Sequence, residues 1–272
     1  MDRYKRQLLR TSGLDEMLES QEAARSASPR SCAISGDRGR RALRVATIWN
    51  SRTRASAVAL ILLATLLALI YVALTIYGFG DCARFARNPV RPAIAGALVL
   101  FAAITPLCGC HIAPAIEEDH GNDWIFFPLL LMGLTMGWLS AYCDRHNSWT
   151  VRGDGVRYVG LIVFLAGVGL RVTAIRTLGR RFSVWVAIQA DHQLETSGIY
   201  RWVRHPSYTG AIMNLLGWAM VFRSIAGMTL AIAMGLLLVS RIRAEEMLLI
   251  AAFGSEYEEY QNRSWKLVPF LY

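Results

Sequence analysis

Residues 56–80 read SAVALILLATLLALIYVALTIYGFG and contain no charged side chain. A helix needs about 20 consecutive apolar residues to cross a hydrocarbon core of about 30 Å. The stretch is long enough for that, and a buried helix of a soluble protein rarely keeps so long a run free of charge. The sequence therefore predicts a membrane-spanning helix here.

Other apolar segments follow along the chain. We expect four spans at about 56–79, 93–110, 124–142 and 156–178, and two further helices at 207–222 and from 228 into the 240s. The short break between the last two predicts an antiparallel helical hairpin. The predicted fold is therefore all-α, a polytopic transmembrane helical bundle with about six spans.

The charge distribution indicates membrane topology. The net charge is +9, and the basic residues are concentrated in the first 54 positions and between the spans. A lipid bilayer explains this pattern, and no nucleic-acid-binding motif accompanies it. The five cysteines lack the spacing of a zinc site, so we expect no metal.

The Lys/Arg bias also predicts the orientation. About twelve Lys and Arg residues precede the first span, which places the N-terminus in the cytosol. Residues 1–54 are predicted to be a disordered basic segment and 55–150 a transmembrane anchor region. Four spans return 179–206 to the cytosol. Two loops disagree, with basic residues outside and acidic residues inside: Arg84, Arg87 and Arg91, and Glu117, Glu118 and Asp119.

The polar segment 191–210, DHQLETSGIYRWVRHPSYTG, lies directly against apolar segments. Ionisable groups beside hydrocarbon are costly and are therefore functional candidates. Pro206 ends one backbone run, and Ser207 could cap the helix that follows. Tyr200 and Tyr208 could offer flat faces to a nucleobase or a sulfonium. The alternative is an interfacial loop with aromatic anchors and snorkelling arginines.

A second polar cluster, RIRAEEMLL, covers residues 241–249. Arg241 and Glu245 are four residues apart and share one helix face. They could form an ordinary salt bridge where a helix leaves the membrane. Alternatively, the glutamate could bind a cationic group of a ligand and the arginine an anionic one.

Three motifs in this order closely resemble the isoprenylcysteine carboxyl methyltransferase family. They are YRWVRHPSYTG at 200–210, Arg241-x-x-x-Glu245-Glu246, and FGSEYEEY at 253–260. The resemblance covers about 156–272. It implies that residues 151–272 form a catalytic region with a cytosolic pocket for S-adenosylmethionine.

The resemblance also implies roles for individual residues. Arg241 would contact the carboxylate of the substrate, and it and Glu245 would be the catalytic pair. The final segment 263–269 departs slightly from the family's ending. The residues that would bind the cofactor are His192, Gln193, Leu194, Glu195, Tyr200, His205, Pro206, Ser207, Tyr208 and Glu245.

The implied reaction transfers a methyl group to an apolar or lipidated acceptor, such as the carboxylate of a prenylcysteine. A carboxylate is ionised at neutral pH, so no general base is required. Alternatives are an N- or S-methyltransferase acting on a phospholipid or small molecule, an NADPH-dependent sterol-reductase-like enzyme, and a membrane scaffold or transport component. The double acid Glu245-Glu246 suits a cationic cofactor better than a phosphate-rich one.

Overall fold

The computed structural model describes residues 36–108, 117–118, 124–179, 187–188 and 194–269. The chain divides into two units between Arg52 and Thr53, and the helices that form the candidate site belong to the second. The helices are α1 Gly36–Phe79, α2 Cys82–Arg87, α3 Val90–Ile104, α4 Phe126–His146, α5 Gly155–Leu178, α6 Pro206–Val221, α7 Ile225–Phe253 and α8 Ser255–Asn262.

The remaining elements are short. Two 3-10 segments cover Thr105–Cys108 and Gly198–Arg201. Strands β1 (Glu117–Glu118) and β2 (Ala187–Ile188) pair antiparallel, with Glu117 opposite Ile188. This pair joins the α3–α4 connection to the α5–α6 connection.

The predicted helical membrane bundle is confirmed. Among the described residues, five segments are long and apolar enough to span a membrane: Val58–Phe79, Val90–Cys108, Phe126–His146, Gly155–Leu178 and Ile225–Phe253. The sixth predicted segment, α6, has 16 residues. At 1.5 Å per residue it is about 24 Å long, somewhat shorter than the hydrocarbon core.

The predicted hairpin is present. Helix α6 ends at Val221 and α7 begins at Ile225, with Ser224 capping α7 by accepting from the Gly227 amide. Helix α1 begins at Gly36, and the disorder of residues 1–54 stays a prediction. Residues 1–35 lie outside the described part of the chain.

Helices α5 and α6 make the most extensive packing in the fold. Their backbones approach closely at two glycine pairs. A Cβ at Gly167 would lie 2.7 Å from the Gly210 oxygen, and one at Gly217 would lie 2.7 Å from the Gly160 oxygen. Gly167 therefore serves the packing of α5 against α6. Gly169, in contrast, has open space around it.

This packing gives the bundle two distinct ends. The start of α6 contacts the later part of α7, as does the start of α4, through Phe126. At the other end, the last turn of α4 meets the first turn of α5 and the α6–α7 turn. The polar motifs at 200–210 and 241–246 therefore lie together at the first end.

Candidate functional site

The start of α6 is built around a proline. His205 has a non-helical backbone, with φ −122° and ψ 58°, and Pro206 is the first helical residue. A proline suits that position because its missing N–H has no helical partner there. The prediction that Ser207 caps the helix is wrong: Ser207 lies inside the first turn, and no side chain caps it.

The two predicted catalytic residues are linked through one tyrosine hydroxyl. Arg241 Nε donates to Tyr208 Oη at 2.8 Å, and that hydroxyl donates to Glu245 Oε2 at 2.9 Å. The Arg241 guanidinium also lies 4.6 Å from the ring centroid of Phe126. Arg241 is buried and Glu245 is half-buried. The structure thus brings Arg241, Glu245 and Tyr208 together.

Glu246, the neighbour of Glu245, holds the loop before α6. It is 5% exposed and contacts three basic side chains. Arg204 Nε lies 3.0 Å from its Oε1, His205 Nε2 3.3 Å from Oε1, and Lys266 Nζ 2.7 Å from Oε2. Sequence reasoning missed this cluster, because Lys266 is 20 residues further along the chain and no local pattern joins it to Glu246.

The upstream part of the predicted site is only partly described. The Glu195 Oε1 atom accepts from the Ser197 amide and hydroxyl, at 3.1 and 2.6 Å. Tyr200 is buried; its hydroxyl donates to the Ala174 oxygen at 3.4 Å, and burial raises the pKa of that hydroxyl. Leu194 is half-buried. His192 and Gln193 lie outside the described residues.

Arg171 is a further residue that the sequence did not single out for function. Its side chain passes Gly210, where an added Cβ would lie 2.6 Å from Arg171 Cγ. Its Nε is buried without a hydrogen-bond partner among the described residues, and its guanidinium lies 5.1 Å from the Phe101 ring centroid. A charged donor left unpaired in a bundle is costly, which makes it an anion-binding candidate.

The described residues offer no metal site. No group of three or more His, Cys, Asp or Glu side chains in that part of the chain is placed to hold an ion. Of the cysteines described there, Cys82, Cys108 and Cys143 are free thiols.

Known proteins that this chain is similar to carry the name of one enzyme family. Residues 159–251 match the isoprenylcysteine carboxyl methyltransferase (ICMT) family. A probable protein-S-isoprenylcysteine O-methyltransferase of Oryza sativa is 34% identical over 43% of this chain and 62% of its own length. The protein-S-isoprenylcysteine O-methyltransferase of Tribolium castaneum is 37% identical over 42% of this chain and 41% of its own length. The human protein-S-isoprenylcysteine O-methyltransferase is 36% identical over 41% of this chain and 40% of its own length.

The predicted family resemblance is therefore confirmed for the segment that carries the polar motifs. The match covers between about two fifths and 62% of the relatives' own length. A solved structure described as the eukaryotic intramembrane Ras methyltransferase ICMT aligns with 80% of this chain and 95% of that one, with 21% identity and a TM-score of 0.42.

Proposed function

We propose that this protein is an integral membrane methyltransferase of the isoprenylcysteine carboxyl methyltransferase type. It would move a methyl group from S-adenosylmethionine to the carboxylate of an apolar or lipidated, prenylcysteine-like acceptor. The family match at 159–251 and the named relatives support this reaction over a sterol-reductase-like enzyme or a transport component.

One observation carries the proposal: the chain of hydrogen bonds from Arg241 through Tyr208 to Glu245. A neutral hydroxyl lies between a cationic and an anionic side chain on one face of α7. Two opposite charges held this close together match a pair of ligand groups that carry opposite charges side by side. A cationic methyl donor and a carboxylate acceptor are such a pair.

The residues present fit S-adenosylmethionine. When bound, this donor supplies a methyl group attached to a positively charged sulfur. Glu245, half-buried and negatively charged, would balance that charge, and the aromatic ring of Tyr208 lies beside it. The predicted binding segment 192–195 and the loop from Tyr200 to Tyr208 would hold the rest of the donor.

The acceptor carboxylate would be positioned by arginine. Arg241 donates to Tyr208 from one side, and Arg171 brings a second guanidinium to the α5–α6 interface beside Gly210. Because the carboxylate is already ionised, the protein has no proton to remove. Its task is to hold donor and acceptor at reacting distance and to exclude water, which can contribute several kcal/mol.

We further propose that the site opens to the cytosol and that the acceptor arrives through the bilayer. About twelve Lys and Arg residues precede the first span, and Arg176, Arg201 and Arg204 lie at the site end. Of the three basic residues that disagree with this orientation, Arg91 is buried against Asp144 and is not a free loop charge.

The proposal can be tested with purified protein in lipid nanodiscs. Donor carrying a radiolabelled methyl group is incubated with an N-acylated farnesylcysteine or with its carboxamide analogue as the matched control. We expect base-labile, volatile label from the acid only, since a methyl ester releases methanol in base.

Two results would contradict the proposal. Label that withstands base would indicate methylation of nitrogen or sulfur, and equal labelling of the carboxamide would exclude the carboxylate as acceptor. Binding of the donor measured by calorimetry on the same sample separates a methyltransferase with a different acceptor from a protein that uses no such donor.

A further inference from the structure

The chain beyond the family-matched segment returns to the predicted donor site. Gly254 has φ +56°, a conformation that favours glycine, and it turns the chain out of α7 into α8. Tyr257 and Tyr260 of α8 are buried, and the Tyr260 hydroxyl donates to the Tyr200 oxygen at 2.6 Å. Helix α8 therefore packs against the loop that precedes α6.

The residues after α8 pair with that loop along its backbone. Val203 and Trp265 form a parallel bridge. The Arg204 amide donates to the Trp265 oxygen at 2.8 Å, the His205 amide to the Lys266 oxygen at 3.1 Å, and the Trp265 amide to the Trp202 oxygen at 2.9 Å. Thr209 Oγ1 donates to the Leu267 oxygen at 2.7 Å, which extends the pairing into α6.

The side chains of the same segment complete the Glu246 cluster. Lys266 Nζ contacts Oε2 of Glu246, while Arg204 and His205 both contact Oε1. Arg204 Nη1 also donates to the Gln261 oxygen at 2.9 Å and to the Ser264 oxygen. Glu246 thus ties α7 both to the loop before α6 and to the returning chain.

We propose that residues 255–269 form a strap that positions the loop 200–208, with Lys266 as a positioning residue for the methyl donor. Lys266 acts through Glu246, which takes no direct part in the reaction. Glu246 stands next to Glu245 on α7 and fixes His205 at the start of α6. The donor half of this inference rests on the proposed function. The positioning of the loop itself does not.

Three variants of the full chain in nanodiscs test the strap. Lys266→Gln removes the charge that contacts Glu246, and Lys266→Arg keeps it. Arg263→Gln makes the same change of charge at an exposed residue of the same segment. The measurements are the Kd of S-adenosylmethionine by calorimetry, the acceptor KM, and hydrogen exchange of the backbone amides at 202–206.

We expect Lys266→Gln to raise the donor Kd about tenfold, as for the loss of one partly buried ion-pair partner. The acceptor KM should stay within about twofold, and exchange at Arg204 and His205 should become faster. Lys266→Arg should restore both, and Arg263→Gln should change neither. A general loss of folding would instead move donor and acceptor parameters together.

Unchanged exchange at 202–206 in Lys266→Gln would overturn the strap, whatever the enzyme binds. Faster exchange with an unchanged donor Kd would overturn Lys266 as a positioning residue, as would an equal effect of Arg263→Gln. If the unmutated chain bound no donor, the proposed function would fail, and the exchange measurement would still decide whether the strap holds the loop.

Discussion

The two ends of the bundle each bury one carboxylate among three basic side chains. At the end away from the site, Asp144 contacts Arg91 Nη2 at 2.8 Å, Arg157 Nη2 at 2.7 Å and Arg223 Nη2 at 3.0 Å. At the site end, Glu246 contacts Arg204, His205 and Lys266. Phe126, which contacts Arg241 at the site end, and Asp144 at the other end are 18 residues apart on α4, which corresponds to about 27 Å of helix.

The difference lies in what stands beside each cluster. The guanidiniums around Asp144 use both of its oxygens and tie α3, α4, α5 and the α6–α7 turn together, which is a structural task. Glu246 does the same for its loop, but its neighbour Glu245 is half-buried and accepts one hydrogen bond, from Tyr208, among the described residues. Asp144 and Glu246 use both carboxylate oxygens to hold neighbouring segments together, whereas Glu245 is the acid that we propose binds the donor.

Breaking the Asp144 cluster should have the largest effect. Asp144→Asn leaves three arginines around a neutral side chain, and loss of one partner of a buried ion pair costs about 3 to 5 kcal/mol. We expect a markedly lower unfolding temperature in detergent, with little protein surviving purification.

Asp154→Asn is the matched control for that change. Asp154 contacts the same Arg157 at 2.7 Å, but its side chain is 65% exposed, so we expect a loss of at most about 1 kcal/mol. Equal destabilisation by the two variants would contradict a special role for the buried cluster.

Glu245→Gln should have the next largest effect, and on binding rather than folding. The amide can still accept from Tyr208, but the charge opposite a cationic donor is lost, which corresponds to about a hundredfold weaker donor binding. Calorimetric titration with S-adenosylmethionine measures it, and Glu256→Gln, an exposed acid of α8, is the control. An unchanged Kd would remove Glu245 from the donor site.

This contrast also explains what the sequence could predict. The helices and the hairpin can be predicted because each follows from an apolar run. Arg241, Tyr208 and Glu245 can be predicted because each stands within a short motif. Glu246 with Lys266, and Asp144 with Arg91, join residues 20 and 53 positions apart. Such pairs depend on which helix ends meet, and no local spacing contains that information. The family match covers residues 159–251, so Lys266 lies beyond it and Arg91 and Asp144 lie before it.

Arg241→Gln should separate the acceptor from the donor. The guanidinium is buried against Phe126 and Tyr208, and the proposed carboxylate would lose its cationic partner. We expect the acceptor KM to rise at least about tenfold while the donor Kd changes little. Arg243→Gln, an exposed arginine two residues away, should leave both parameters unchanged. Normal acceptor saturation in Arg241→Gln would contradict the assignment.

Tyr208→Phe should give the smallest effect and tests how the two charges are held apart. It removes the hydroxyl that accepts from Arg241 and donates to Glu245 but keeps the ring, a loss of about 1 kcal/mol that corresponds to roughly fivefold. Because the hydroxyl contacts both side chains, we expect donor Kd and acceptor KM to rise together. Tyr158→Phe, on the exposed face of α5, is the control. A change in only one parameter would mean that the hydroxyl serves one ligand, and that Arg241 and Glu245 act independently.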